Sequence, residues 1–153
     1  MRHKVQPEDF VVEERIHLRF TRDGEFGIYR VRKRGVTTLS VQAQMARELG
    51  VAQSDIVFPA LKDKDAVTMQ HAAIRGTGPA KVSGKGFSAR FLGRSPRPLS
   101  PSDILANRFT LVLRDLTVAE VARIQERAAR LGQSGLPNYF DEQRFGSYTP
   151  GHD

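Results

Sequence analysis

Arg108-Phe109-Thr110-Leu111-Val112-Leu113-Arg114 and, after Asp115-Leu116, Thr117-Val118-Ala119-Glu120-Val121-Ala122-Arg123-Ile124 set a strand directly before a helix. In the first segment Phe109, Leu111 and Leu113 alternate with Thr110 and Val112, the two-residue period of a strand. In the second, Val118, Val121, Ile124, Ala128 and Leu131 form an apolar stripe at helical spacing. Thr117 and Glu120 have the spacing of a capping box, in which each side chain satisfies a backbone amide that the first helical turn leaves free. The pattern predicts a helix from Thr117 to Leu131, ended by Gly132.

Moving toward the N-terminus, the same two periods recur. Ala66 to Ile74, Gly27 to Lys33 and Phe10 to Glu14 read as strands, the last after a turn at Pro7-Glu8-Asp9. Ser40 to Leu49 reads as a helix, with Val41, Met45 and Leu49 on one face and Gly50 as its stop. Ile56-Val57-Phe58 is a short apolar run ended by Pro59. Residues 76–102 are punctuated by glycine and proline and read as loop with one strand at Phe87 to Leu92. Residues 135–153 mix Gly, Pro, Asn and aromatics without a period. Strands and helices mixed in this order predict an α+β fold, a largely antiparallel sheet with flanking helices.

The chain has 153 residues, the size of one domain with a core of its own. It has no cysteine, which excludes a disulfide scaffold, thiolate zinc sites and cysteine catalysis. No apolar run approaches the ~20 residues that span a bilayer. Met1-Arg2-His3-Lys4-Val5-Gln6-Pro7 is not followed by the apolar core of a signal peptide. A soluble, cytoplasmic protein without a membrane partner is the expectation. The net charge is +7, and residues 76–114 alone hold seven basic residues against Asp103. Charge concentrated in this way fits a polyanion partner, and equally a solvated face that aids solubility. Arg30-Val31-Arg32-Lys33-Arg34 forms a second cluster, whose alternation puts Arg30, Arg32 and Arg34 on one side of a strand and Val31 on the other. Such a row can follow phosphates by bidentate hydrogen bonds or discourage edge-to-edge strand pairing.

Two segments carry candidate chemistry. In Leu61-Lys62-Asp63-Lys64-Asp65 an acid stands between two lysines just after an apolar run. Flanking cations favour the ionised carboxylate, which can serve as nucleophile, base or electrostatic stabiliser. A polar turn with self-neutralising charges would use the same residues. In Pro137-Asn138-Tyr139-Phe140-Asp141-Glu142-Gln143-Arg144-Phe145 aromatics alternate with edge-reading polar groups, which suits stacking on a base. A tail tucked onto the core by Tyr139, Phe140 and Phe145 has the same composition. His3, His17, His71 and His152 lack metal-ligand spacing, so no metal site is expected. Gly76-Thr77-Gly78 lacks the third glycine of a dinucleotide loop.

Four motifs, taken together, resemble the tRNA pseudouridine synthase D family. They are Lys4-x-x-Pro7-Glu8-Asp9-Phe10-Val11-Val12-Glu13-Glu14; Lys33-Arg34-Gly35 with Thr37-Thr38; Ala60-Leu61-Lys62-Asp63-Lys64 with Ala66-Val67-Thr68 and Gln70; and Pro137-Asn138-Tyr139-Phe140 with Gln143-Arg144-Phe145-Gly146. Asn107 to Arg114 also looks like the family's corresponding strand. The resemblance runs from about residue 4 to residue 147. It implies the α+β pseudouridine synthase fold and conversion of a uridine in tRNA, at position 13 in bacteria, to pseudouridine, without cofactor or metal. It implies that Asp63 is the catalytic aspartate, by attack on the sugar or by promoting elimination. It implies substrate contacts from Lys4, Phe10, Lys62, Lys64, Gln70, Asn138, Phe140 and Arg144.

The chain departs from the family in length, since members continue well past the fourth motif. A partial catalytic domain over residues 1–147 and a tail over 148–153 are therefore expected, with the cleft completed by a homodimer or by a missing C-terminal portion. Asp141 stands where the family usually has glycine, and Pro59 where a small flexible residue is commoner. Three readings compete: a tRNA pseudouridine synthase, a non-catalytic RNA-binding remnant or fragment of one, and a basic factor such as a ribosome-associated protein. The third accounts for the charge and for none of the motifs.

Overall fold

The computed structural model describes residues 1–76 and 78–135. In chain order the strands are β1 (Arg2–His3), β2 (Phe10–Ile16), β3 (Phe26–Arg34), β4 (Ile56–Val57), β5 (Val67–Arg75), β6 (Lys81–Gly84), β7 (Phe87–Ser95), β8 (Ile104–Leu111) and β9 (Leu113–Arg114). The helices are α1 (Thr38–Leu49) and α2 (Val118–Ser134). Single 3-10 turns lie at Pro7–Asp9, Gln53–Asp55 and Pro101–Asp103. The chain divides after Asp115 into two compact units, and α2 belongs to the second.

The first unit is built on a seven-stranded sheet in the order β6-β7-β3-β5-β2-β8, with β4 also paired to β5. All pairings in it are antiparallel except β2 with β5. The sheet is thus mostly antiparallel, as expected for this α+β chain. β2 and β4 share one edge of β5: β2 runs beside Val67 to Met69 and β4 beside Ala73 and Ile74. β1 pairs with β9 in a separate two-stranded ribbon.

Successive side chains alternate between the two faces of a sheet. One row across it reads Phe87, Lys33, Thr68, Val12, Phe109. On that face, between β7 and β5, lies the larger core: Tyr29, Val31, Ala72, Ile74, Phe87 and Ala89 packed with Val41, Met45 and Ala46 of α1. Val41 and Met45 are fully buried because their four-residue spacing aligns them on one side of the helix. Thr37 caps α1 by accepting the Ser40 N–H at 3.0 Å, and Gly50 closes it at φ 65°, a left-handed conformation that favours glycine. A smaller cluster of Phe26, Ile28, Ala73 and Leu99 forms a second core.

Three expectations need correction. Residues 76–102 contain two strands, not one: β6 and β7 form a hairpin turned at Lys85-Gly86, with Gly86 at φ 77°. Of the glycines taken as loop punctuation, Gly84 and Gly86 serve this tight turn, while Gly93 lies within β7. The strand expected at residues 108–114 begins earlier, at Ile104, and breaks at Val112, whose N–H is donated to the Asp9 carbonyl at 2.7 Å. Finally, α2 passes through Gly132 to Ser134, with the Gly135 N–H bonded to the Leu131 carbonyl. An interior glycine costs a helix only about 1 kcal/mol, too little to end it by itself. The capping box of Thr117 and Glu120 is present as expected.

Candidate functional site

The loop between β4 and β5 carries Asp63. Three attachments fix it. Thr38, in the first turn of α1, accepts the Lys62 N–H at 3.1 Å. Lys33 Nζ donates to the Asp63 carbonyl at 2.5 Å and to the Val36 carbonyl at 3.0 Å. Lys62 Nζ donates to Asn107 Oδ1 at 2.9 Å and lies 3.0 Å from Glu14 Oε2. Glu14 in turn accepts the His71 backbone N–H and faces His71 Nδ1, both at 3.0 Å. Backbone and neighbours are thus occupied, and the Asp63 carboxylate is left to face outward.

Its partner comes from the other end of the unit. Lys4 Nζ donates to Asp63 Oδ2 at 2.7 Å and sits 4.2 Å from the centroid of the Phe10 ring. Lys4 has φ 50°, a left-handed backbone that is costly for a residue with a side chain. The segment is held there by Asp9, which is buried. Asp9 receives the Val5 N–H at 3.1 Å and both Nε and Nη2 of Arg114, at 2.9 and 2.7 Å. Phe10 stacks on Phe109 with 6.0 Å between centroids and 5° between planes.

Together these groups line an open pocket of about 280 Å³ formed by Phe10, Val12, Leu61, Lys62, Asp63, Asn107 and Phe109. The Lys4 hydrogen bond holds the Asp63 carboxyl below the usual carboxylate range, while partial burial opposes it. Burial pushes Glu14 up, but the hydrogen bonds of His71 and Lys62 outweigh it and leave the carboxyl lowered. Burial drives the Lys33 ammonium down to about 8, against the pull of Asp63 and Asp65. The pocket therefore offers one accessible ionised carboxylate beside two aromatic rings and an amide. That set can receive a flat heterocycle and act on a bond next to it.

The structure brings Asp63, Lys4, Phe10 and Lys62 together. Lys64 is exposed and makes no ion pair among the described residues. Gln70 is fully buried and lies apart from the pocket, 3.4 Å from Thr38 Oγ1; it meets the Asp63 loop only through that hydroxyl. Asn138, Phe140 and Arg144 lie outside the described residues. Sequence reasoning missed Lys33, Thr38, Glu14, Asn107 and Phe109 as parts of the site. Lys33 had a signal: alternation puts it on the apolar side of β3 with Val31. Asn107 and Phe109 had none, because nothing in β8 itself says which strand it meets.

The profile of the family described as tRNA pseudouridine synthase D (TruD) matches residues 1–152. The chain belongs to this family. Among curated members, tRNA pseudouridine synthase D of Vibrio campbellii is 36% identical, over 94% of this chain and 43% of its own length. That of Anaeromyxobacter sp. strain Fw109-5 is 40% identical, over 92% of this chain and 40% of its own. The crystal structure of the TruD protein from Methanosarcina mazei superposes with a TM-score of 0.82 at 30% identity, covering 94% of this chain and 35% of that one. The pseudouridine synthase fold is shared, and the chain spans less than half the length of the TruD relatives it matches.

Proposed function

We propose that this chain carries the aspartate-bearing part of a tRNA pseudouridine synthase site, with Asp63 as its catalytic group and a uridine of tRNA, position 13 in the family, as substrate. The observation that carries the reading is the Asp63 carboxylate, held ionised by Lys4 in an open pocket beside the parallel rings of Phe10 and Phe109. A uridine stacked in folded tRNA must be extruded before its glycosidic bond can be reached, at a cost of a few kcal/mol. Stacking on Phe10 or Phe109 offsets that cost by about 1–3 kcal/mol per base. Asn107, with its oxygen taken by Lys62, presents its amide N–H groups to a uracil carbonyl. Asp63 assists cleavage of the bond between C1′ and N1. The freed uracil turns and rejoins C1′ through C5, and the C5 proton passes to solvent while N1 gains one. No atom is gained or lost.

In this reading Lys4 orients Asp63, Lys62 anchors the loop through Glu14, and Lys64 is free to meet phosphate. Asn138, Phe140 and Arg144 contribute from the fourth motif. Residues 1–147 act as part of the catalytic domain, 148–153 as a tail, and the site of action is the cytoplasm. Among the described residues no helix is long and apolar enough to cross a membrane.

A second reading is favoured by one observation: the pocket is open, and Phe109 on its β8 wall is 61% exposed. The chain would then bind RNA and turn over only when more polypeptide, or a second copy, closes that wall. The test is to incubate the chain with unmodified tRNA and map pseudouridine by mass spectrometry. Product that vanishes in Asp63→Asn supports the first reading. Product that persists in both Asp63→Asn and Asp63→Ala overturns it. Binding without product supports the second.

A further inference from the structure

The sheet face opposite Asp63 carries a row of cations that the site does not use. Cross-strand register sets Lys81 of β6 opposite Arg90 of β7, and Arg90 opposite Arg30 of β3. The next row on the same face is Ser83, Ser88 and Arg32. All six are exposed, and they line a pocket of about 560 Å³. Lys33, one residue from Arg32, points to the other face with Thr68 and Val12, so this pocket and that of Asp63 lie on opposite sides of one sheet.

Like charges directly opposite on neighbouring strands are destabilising. Here three stand in one line, ~10 Å from end to end at the spacing of strands. Among the described residues none of Lys81, Arg90, Arg30 and Arg32 makes an ion pair. Among the described residues the Arg30 guanidinium hydrogen-bonds only to the Met69 sulfur, at 3.4 Å, a weak acceptor. Guanidinium and ammonium groups with hydroxyls beside them, and no carboxylate among them, match phosphate oxygens.

We propose that this row binds the phosphate backbone of RNA as a contact separate from the pocket around Asp63. It rests on the reading of the chain as a tRNA-handling protein and extends it to the other face of the sheet. The test is tRNA affinity of the whole chain across a salt series from about 50 mM upward. Two variants are compared, Arg30→Gln with Arg90→Gln and Lys81→Gln with Arg32→Gln. Arg22→Gln with Arg47→Gln, exposed residues elsewhere, removes the same charge as a control. Each patch variant is expected to weaken binding about tenfold or more at low salt and to flatten the log–log salt slope by about 2. The control is expected to change affinity by less than about threefold. Thermal midpoints at or above that of the parent exclude a folding defect, since repulsion has been removed.

Patch variants that match the control overturn the proposal, as does a row that binds inorganic phosphate or a mononucleotide with tRNA affinity unaltered by its loss. A parent chain that binds no tRNA also overturns it. Asp63→Asn product mapping on the same preparations is a separate readout. Patch-dependent binding without product leaves this inference standing and favours the second reading of the Asp63 pocket, whereas Asp63-dependent product with patch-independent binding supports the first reading and overturns this inference.

Discussion

Lys4 and Lys33 are two lysines with opposite tasks toward one aspartate. Lys4 approaches the carboxylate and Lys33 the backbone carbonyl of the same residue. Replacing Lys4 by Met removes the chief cause of the lowered Asp63 carboxyl, so its titration is expected to move to higher pH. Carboxyl-detected NMR titration reads this directly, and the acid limb of any pH–rate profile should shift the same way. For Lys33 the sign is reversed. Its folded value near 8 lies below that of the free side chain, so between pH 8 and about 10.5 the unfolded state binds more protons. The stability of the parent relative to Lys33→Met should therefore rise as pH increases through that window, measured by urea unfolding at pH 7 and at pH 10. Phe109→Ala should raise KM for tRNA, in keeping with the loss of about 1–3 kcal/mol of base stacking. Asp63 and its lysine neighbours were legible because the motif is contiguous. Its true ion partner, Lys4, was visible only through the family resemblance, since it lies far off in sequence.

Among elements, β3 was legible because it alternates and α1 and α2 because each forms an apolar stripe, whereas β2, β5 and β7 were legible from composition and the turn residues beside them. β6 escaped because four residues with one buried side chain, Val82, give no period to read. β1 escaped because it is two residues long and is defined only by pairing with β9, a contact without a local signature; the β9 residues read as strand, but as a continuation of β8. The ion pair between buried Asp9 and exposed Arg114 ties these pieces together. Arg114 holds the Asp9 carboxyl down to about 2. Its contribution is present above about pH 4 and lost as pH falls through 2. Acid unfolding of Arg114→Met should lack that component, and the variant should be destabilised at neutral pH by leaving Asp9 buried without its partner. A variant as stable as the parent at pH 6 would refute this role.

At the scale of the molecule, the α+β class and the mostly antiparallel sheet were legible, whereas the strand order was not. The parallel pairing of β2 with β5 leaves no mark in either strand, and it is this pairing that lays Val12 beside Thr68 and the Asp63 loop over β2. The net charge of +7 belongs to the same scale. tRNA binding should weaken by orders of magnitude between about 50 and 200 mM salt if six or more phosphates are neutralised, and titrations at several salt concentrations would measure the number.

The distances along the chain between the site's members set an order of events. Lys4 and Asp63 are 59 residues apart, and Asp9 and Arg114 are 105 apart. Contacts between such distant residues require long loops to close first, which slows folding and leaves these contacts to form late. During synthesis the Asp63 loop emerges long before β8 and Arg114 exist to build the other wall. A nascent chain thus exposes the Asp63 carboxylate before its pocket exists, and the wall made by Asn107 and Phe109 is added only when β8, the last strand of the sheet, docks.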